Sequence, residues 1–249
     1  MPISDYSTAL VTGASSGIGA AVVERLRNEG LQVHALARRA DTLEALAART
    51  GCIPHAIDVT DLAAIRRLAG DVAFDILVNS AGVDRPASIL KAEAEEVDLL
   101  VDVNLRAVLH LARLIVPGMA ARNRGHVVNI GSIAGEYHFG GNATYHATKA
   151  AVHMLSRQLR VDLLGKLVRV TEICPGRVET DIFAHVHGDS PETRARFVDG
   201  FLLPQASDIA DAIAFALAAP LAVNVGHIEI MPTLQVPGGL TTLRADHAG

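Results

Sequence analysis

Tryptophan is absent from this chain of 249 residues, and only three tyrosines and six phenylalanines are present. With aromatics at 4 % and apolar residues at 50 %, a core must be assembled mainly from Ala, Val, Leu and Ile. Cysteine is scarce too. Cys52 and Cys174 lack metal-ligand spacing and imply neither a disulfide framework nor zinc. Cys174 closes the apolar run VRVTEIC and reads as a small buried hydrophobe. Basic residues do not cluster beyond Arg38-Arg39 and Arg66-Arg67, and the net charge is −5, so no nucleic-acid partner is expected. The longest apolar run, residues 212–223, is broken by Pro220 and is too short to span a bilayer. The opening residues MPISDYSTALV carry no basic segment and no long apolar stretch, so no secretory leader is expected. These absences predict a cytoplasmic protein acting on a small molecule, not on a membrane or nucleic acid.

What is present is alternation. Short β-rich runs at 8–12, 32–36, 53–57, 75–79, 126–130, 168–173 and 227–231 are separated by helical periodicity at 17–29, 41–50, 61–69, 92–121, 143–165 and 207–218. Strands alternating with helices imply right-handed crossovers and an α/β fold, a doubly wound parallel sheet of about seven strands. Residues 1–249 read as one domain, without internal repeat or linker. The connection 181–205 is long for its place and is expected to be a substrate lid. Ligands of such sheets bind at the carboxyl ends of the strands.

Two stretches carry chemistry. In TGASSGIG (12–19), after the first strand, Gly13 permits a tight turn, Gly17 lets backbone approach a pyrophosphate, and Gly19 allows close helix packing. In TYHATKAAV (144–152), Tyr145 and Lys149 are four apart on a helix and share a face. A lysine one turn away favours a phenolate by its charge. Five histidines, His138, His146, His153, His185 and His187, have no carboxylate or cysteine partner at ligand spacing, so no metal is expected.

The spacing T-G-x-x-x-G-x-G resembles the short-chain dehydrogenase/reductase family. So do Asp58-Val59, NSAG (79–82), VNL around Asn104, NIGS ending at Ser132, Tyr145 with Lys149, and PGRVET (175–180). The resemblance runs from Thr8 to about Gly239. It is greatest to the bacterial NADP-dependent 3-hydroxy acid (serine, allo-threonine) dehydrogenases, with reductases of small acid-bearing aldehydes as neighbours. One position departs: Ser80 stands where the family has a second asparagine, and a local adjustment is expected there.

The resemblance implies a catalytic set of Asn104, Ser132, Tyr145 and Lys149. Tyr145 is the proton shuttle, Ser132 hydrogen-bonds the substrate oxygen, Lys149 also holds the nicotinamide ribose, and Asn104 keeps a water in a relay to Lys149. It implies cofactor contacts from Gly13, Ser15, Ser16, Gly17, Ile18 and Gly19. Asp58 falls at the adenine amino group, Asn79 at the adenosine ribose and Thr180 at the carboxamide or the phosphates, with Val59, Ala81, Gly82, Pro175, Gly176 and Val178 as further cofactor contacts. The cofactor type is read from ALARRAD: with no acid at Ala37, an arginine can pair with the 2′-phosphate of NADP. Arg38 is the first choice, Arg39 a solvated partner, and NAD the less favoured cofactor. Arg177 is the candidate reader of an anionic substrate, against pairing with Glu179 or Glu172; Arg85 competes with it, and His138 and the lid histidines are further substrate candidates. The expected activity is hydride transfer between NADP and a small hydroxy acid or its carbonyl partner. The alternatives are a carrier-bound 3-oxoacyl or neutral carbonyl substrate, or a non-enzymatic sensor. A homo-oligomer, tetrameric by family expectation, is the expected assembly.

Overall fold

Alternate strand residues face two apolar layers, as a sheet covered on both sides requires. In the computed structural model, which describes residues 3–180 and 182–247, Ala9 and Val11 enter one core and Leu10 the other; Ile76 and Val78 part from Leu77 in the same way. The strands are β1 (Thr8–Thr12), β2 (Gln32–Ala37), β3 (Ile53–Ala56), β4 (Ile76–Asn79), β5 (Gly125–Ile130), β6 (Val168–Pro175) and β7 (His227–Ile230). All pair in parallel, in the order β3-β2-β1-β4-β5-β6-β7. The order reverses beside β1, where β4 takes the far side. That is the switch point at which such sheets open a crevice.

Helices α1 (Gly17–Asn28) and α2 (Ala40–Thr50) lie on one face with α9 (Ala206–Ala218), burying Val22, Leu26, Leu43, Leu46, Ile209 and Ile213. Helices α3 (Leu62–Asp71) and α5 (Ala107–Ala121) bury Ile65, Leu68, Leu111 and Ile115 on the other. Helix α6 (Ala143–Asp162) covers β6 on that side. The stretch expected as one helix over 92–121 is instead α4 (Ala94–Val101), a wider π turn (Asp102–Arg106) and α5. The widened turn buries Asn104, whose side-chain amide accepts from Val83 N–H and donates to Val83 C=O, both at 2.8 Å. No sequence periodicity marks that local change.

The long connection contains α7 (Ile182–His187) and α8 (Pro191–Phe197). Its stem is pinned: Glu179 N–H donates to Pro204 C=O at 2.9 Å, and Gln205 Nε2 donates to Glu179 Oε2 at 2.8 Å. Asp181, where the expected lid begins, and the side chains of His185 and His187 lie outside the described residues. Among the described residues no helix is long and apolar enough to cross a membrane.

Candidate active site

A cavity of about 760 Å³ opens at the carboxyl ends of the strands, from the β2–β3 edge to the long connection expected as a lid. One end is made of backbone. Gly13 has φ +66°, and a Cβ there would sit 2.7 Å from Ala81 Cα; a Cβ on Gly19 would lie 2.3 Å from Gly13 O. The first turn therefore packs against the β4 exit with no room for side chains. Gly17 differs. A Cβ there would meet only Thr180, at 3.4 Å, so its absence keeps open the space above the first turn of α1, whose leading N–H groups lack intrahelical partners. That opening suits a pyrophosphate, and Ser15, Ser16, Ile18 and Thr180 line it.

Arg38 and Arg39 stand exposed at the rim of this end. Arg39 is held by the loop itself: its Nη2 donates to Ser15 Oγ at 3.0 Å and Ser16 Oγ at 2.9 Å. Arg38 lies toward Asp58. Burial pushes the Asp58 carboxyl up, but hydrogen bonds from Thr60 and the charge of Arg38 outweigh it and hold the group below its usual range. Both Thr60 bonds end on Oδ1, and Oδ2 has no partner among the described residues. An acceptor is thus available beside Val59 at the cavity wall.

The other end is made of polar side chains, Ser132 and Tyr145 half-buried and Lys149 buried. Ser132, in extended conformation after β5, caps a 3₁₀ turn (Ile133–Gly135) by accepting Ala134 N–H at 3.1 Å and also hydrogen-bonds the Tyr145 phenol. Tyr145 and Lys149 share the cavity face of α6, with Lys149 Nζ 5.6 Å from the phenol ring centre and donating to Ile130 C=O at 2.9 Å. Burial, and next the charge of Asp84, hold the phenol protonated well above its ordinary range, against the opposing Ser132 bond. Burial pushes Lys149 down to about 8. Desolvation is the largest influence on both groups and opposes the charged form of each.

Several expected residues act from behind the wall or stand away from it. Asn104 does not line the cavity; it fixes the β4 exit through Val83, and Gly82 lies between it and Lys149. The Asn79 side chain also misses the cavity. Its Nδ2 donates to Asn129 Oδ1 at 2.8 Å, because a β4 residue opposite Asn129 is directed into the sheet's helix layer. His138 is exposed and does not line the cavity; its neighbour Phe139 does. Pro175, Gly176, Val178, Ala81 and Gly82 all line it.

Arg177 lines the lid end, half-buried, with Nη2 donating to Leu240 C=O at 3.2 Å and the guanidinium 5.1 Å from the Phe201 ring centre. It has no carboxylate partner among the described residues: Glu179 pairs with Arg194, and Glu172 faces His153. Arg85, bonded to the Asp84 carbonyl, and Arg196 also line that end. Sequence reasoning missed four contributors. Thr12 Oγ1 accepts the N–H groups of both Ser80 and Ala81, at 3.1 and 3.0 Å, which positions the loop carrying the departure at Ser80. Asn142 Nδ2 donates to Asp84 Oδ1 at 2.7 Å, and Gln235 Oε1 accepts Arg177 N–H at 3.0 Å. Thr12 falls inside the TGASSGIG motif, but nothing in its spacing tells what it touches.

A doubly wound parallel sheet whose switch point joins a backbone phosphate cradle to a Ser–Tyr–Lys wall defines a nucleotide-dependent oxidoreductase of CH–OH groups. Comparison with known proteins narrows the class. Residues 7–190 match the short chain dehydrogenase family, and the chain belongs to it. It is 38 % identical over 240 residues to the uncharacterized short-chain type dehydrogenase/reductase y4eK of Sinorhizobium fredii, covering 96 % of each chain. It is 36 % identical to the NADP-dependent 3-hydroxy acid dehydrogenase YdfG of Salmonella typhi, covering 95 % of this chain and 99 % of that one. The closed form of a serine dehydrogenase complexed with NADP+ is 34 % identical and superposes with a TM-score of 0.88, covering 95 % of this chain and 99 % of that one.

Proposed function

We propose that the protein moves hydride between NADP(H) and a small hydroxy acid or its matching aldehyde or ketone acid. The observation that carries the chemistry is the convergence of Ser132, Tyr145 and Lys149 on one wall of the cleft that the glycine loop opens. Bound NADP supplies the hydride donor or acceptor. Tyr145 gives its proton to the carbonyl oxygen in reduction and takes it back in oxidation, Ser132 hydrogen-bonds the same oxygen, and Lys149 holds a positive charge beside them. Asn104 is a positioning residue acting through Val83. Arg38 is the phosphate partner that favours NADP, and Arg39 braces the serines of the loop.

The half-buried guanidinium of Arg177, lacking a carboxylate partner among the described residues, supports an anionic substrate group. Its planar fork matches a carboxylate or sulfonate. A second reading, reduction of a carrier-bound acyl group, is favoured by the exposed Arg85 and Arg196 at the cavity mouth. A substrate panel of 3-hydroxy acids, sulfonate aldehydes, neutral alcohols and acyl thioesters, each with NADP(H) and NAD(H), tests the proposal. Turnover confined to neutral compounds or thioesters overturns the acid assignment. Preference for NAD overturns the cofactor assignment. Assembly into a homo-oligomer belongs to the same proposal: Leu109 on α5 and Met154 and Val161 on α6 leave apolar side chains exposed. Light scattering that returned a monomer would remove it.

A further inference from the structure

Behind the catalytic wall, on the α6 side of the sheet, five ligand-type side chains from four elements meet. Glu172 and Cys174 leave β6 on that face as alternate residues. His227 sits opposite Glu172 on β7, His153 comes from α6 one turn beyond Lys149, and Glu136 follows the 3₁₀ turn. One ligand atom of each lies within 4.8 Å of all the others. The expectation of no metal rested on spacing in sequence, and these residues have none.

Hydrogen bonding within the cluster leaves one buried oxygen over. Glu172 is 1 % exposed; its Oε2 faces His153 Nδ1 at 2.7 Å and His227 Nδ1 at 3.5 Å, while Oε1 is buried without a hydrogen-bond partner. Gly131 makes room for it: a Cβ there would lie 2.4 Å from Glu172 Oε1 and 3.0 Å from Cys174 Sγ. A buried carboxylate with one oxygen unsatisfied, beside a fully buried thiol, is costly unless a cation completes it. Within that 4.8 Å span, His153 Nδ1 and Glu172 Oε2 stand 2.7 Å apart and Cys174 Sγ and His227 Nδ1 3.8 Å apart. A tetrahedral ion with bonds of about 2.0–2.3 Å holds its donors roughly 3.4 Å apart.

We propose that Glu172, Cys174, His153 and His227 form a site for one divalent metal ion of the zinc class, with Glu136 orienting His227. A sulfur, two imidazole nitrogens and a carboxylate select a borderline ion over magnesium or calcium, which take oxygen ligands. His227 turns Nδ1 toward Glu172 and Cys174, and its Nε2 meets Glu136 Oε1 at 3.2 Å, the outer carboxylate that fixes a ligating imidazole. The side chains of His153, Glu136 and His227 are 20, 24 and 35 % exposed, which gives the ion a path in from the surface to a floor of Glu172 and Cys174. As the sulfur–metal bond forms, the thiol proton leaves to water. The ion ties α6 to β6 and β7 behind Lys149 and Gly131 and takes no part in hydride transfer.

The test is titration of chelator-treated full-length protein with Zn²⁺ and Co²⁺ alone. The expected result is one ion per chain with Kd below about a micromolar, a thiolate-to-cobalt charge-transfer band, and a raised thermal midpoint. Cys174→Ser should remove the band. His227→Ala, at a partly exposed edge position where folding is not at stake, should weaken binding by at least about tenfold, and His138→Ala should change nothing. Absence of stoichiometric binding overturns the proposal, since the imidazoles would then serve only as partners of the two carboxylates. A cobalt spectrum without thiolate absorption, or affinity unaltered in both Cys174→Ser and His227→Ala, overturns it equally. None of these readouts needs turnover, so they are decided separately from the proposed reaction.

Discussion

The two ends of the cleft are built from different materials. At the β1–β3 end the wall is backbone and glycine, with its charged groups, Arg38 and Arg39, exposed at the rim. At the β5–β6 end it is made of polar side chains, half-buried Tyr145 and buried Lys149 among them, on which desolvation is the largest influence. A rim charge can change without disturbing the packing beneath it, so cofactor preference is open to single substitutions. A buried ionisable group is coupled to everything around it, and the chemistry is not open in that way.

Breaking the buried end should cost most. Tyr145→Phe is expected to lower kcat by about 10²–10⁴-fold, the range for a lost general acid, with NADPH affinity by fluorescence titration nearly unchanged. Retention of more than about a tenth of wild-type kcat would remove Tyr145 from the proton path. At the rim, Arg38→Asp should weaken NADPH binding by about ten- to a hundredfold, the loss of one charge-assisted contact, and narrow or reverse the preference over NADH. Arg39→Ala should do less, since that side chain is held on Ser15 and Ser16. An unaltered cofactor ratio in Arg38→Asp, with a changed one in Arg39→Ala, would exchange their roles. The lid end sharpens the contrast: Arg177→Met should lower kcat/KM for an anionic substrate by about tenfold or more and for a neutral carbonyl of similar size by much less. Equal losses would mean that Arg177 supports the Gln235 and Leu240 segment and does not read charge.

A further effect is on stability. The folded Lys149 value of about 8 lies below the ordinary lysine value of 10.5. Between those values the unfolded chain binds more protons than the folded one, so stability rises as pH increases through that window. On the order of 3 kcal/mol is at stake over the whole window. Thermal midpoints of ligand-free protein from pH 7 to 10 check this, against Lys149→Met, which should flatten the slope. A wild-type midpoint indifferent to pH relative to the variant would show Lys149 to be solvated.

What could be read beforehand depended on whether cause and effect were neighbours in sequence. Strand alternation, the glycine turn and the shared face of Tyr145 and Lys149 are local, and the observed strands begin and end within two residues of the expected ones. The π turn at Asn104 serves a contact with Val83 in another element, and helical periodicity ran straight through it. Asn79 was placed at the cofactor because its motif borders the cleft, while its side-chain direction is set by pairing with Asn129. Glu172, Cys174, His153, His227 and Glu136 carry no common spacing, and only the order of β5, β6 and β7 with α6 above them brings the five together.

The pinned stem of the lid has a consequence for how this protein can diverge. Glu179 and Gln205 close the insertion at its base, and among the described residues its contacts beyond that base run to Arg177, Arg244 and Ala245, not to the strands beneath. Lengthening a loop whose ends are already held together costs little chain entropy, growing only with the logarithm of its length. Residues between the two anchors can be exchanged for a differently shaped stretch while the strands beneath keep their register. Duplicated copies of such a gene can thus diverge in what they accept while keeping one way of handling the cofactor.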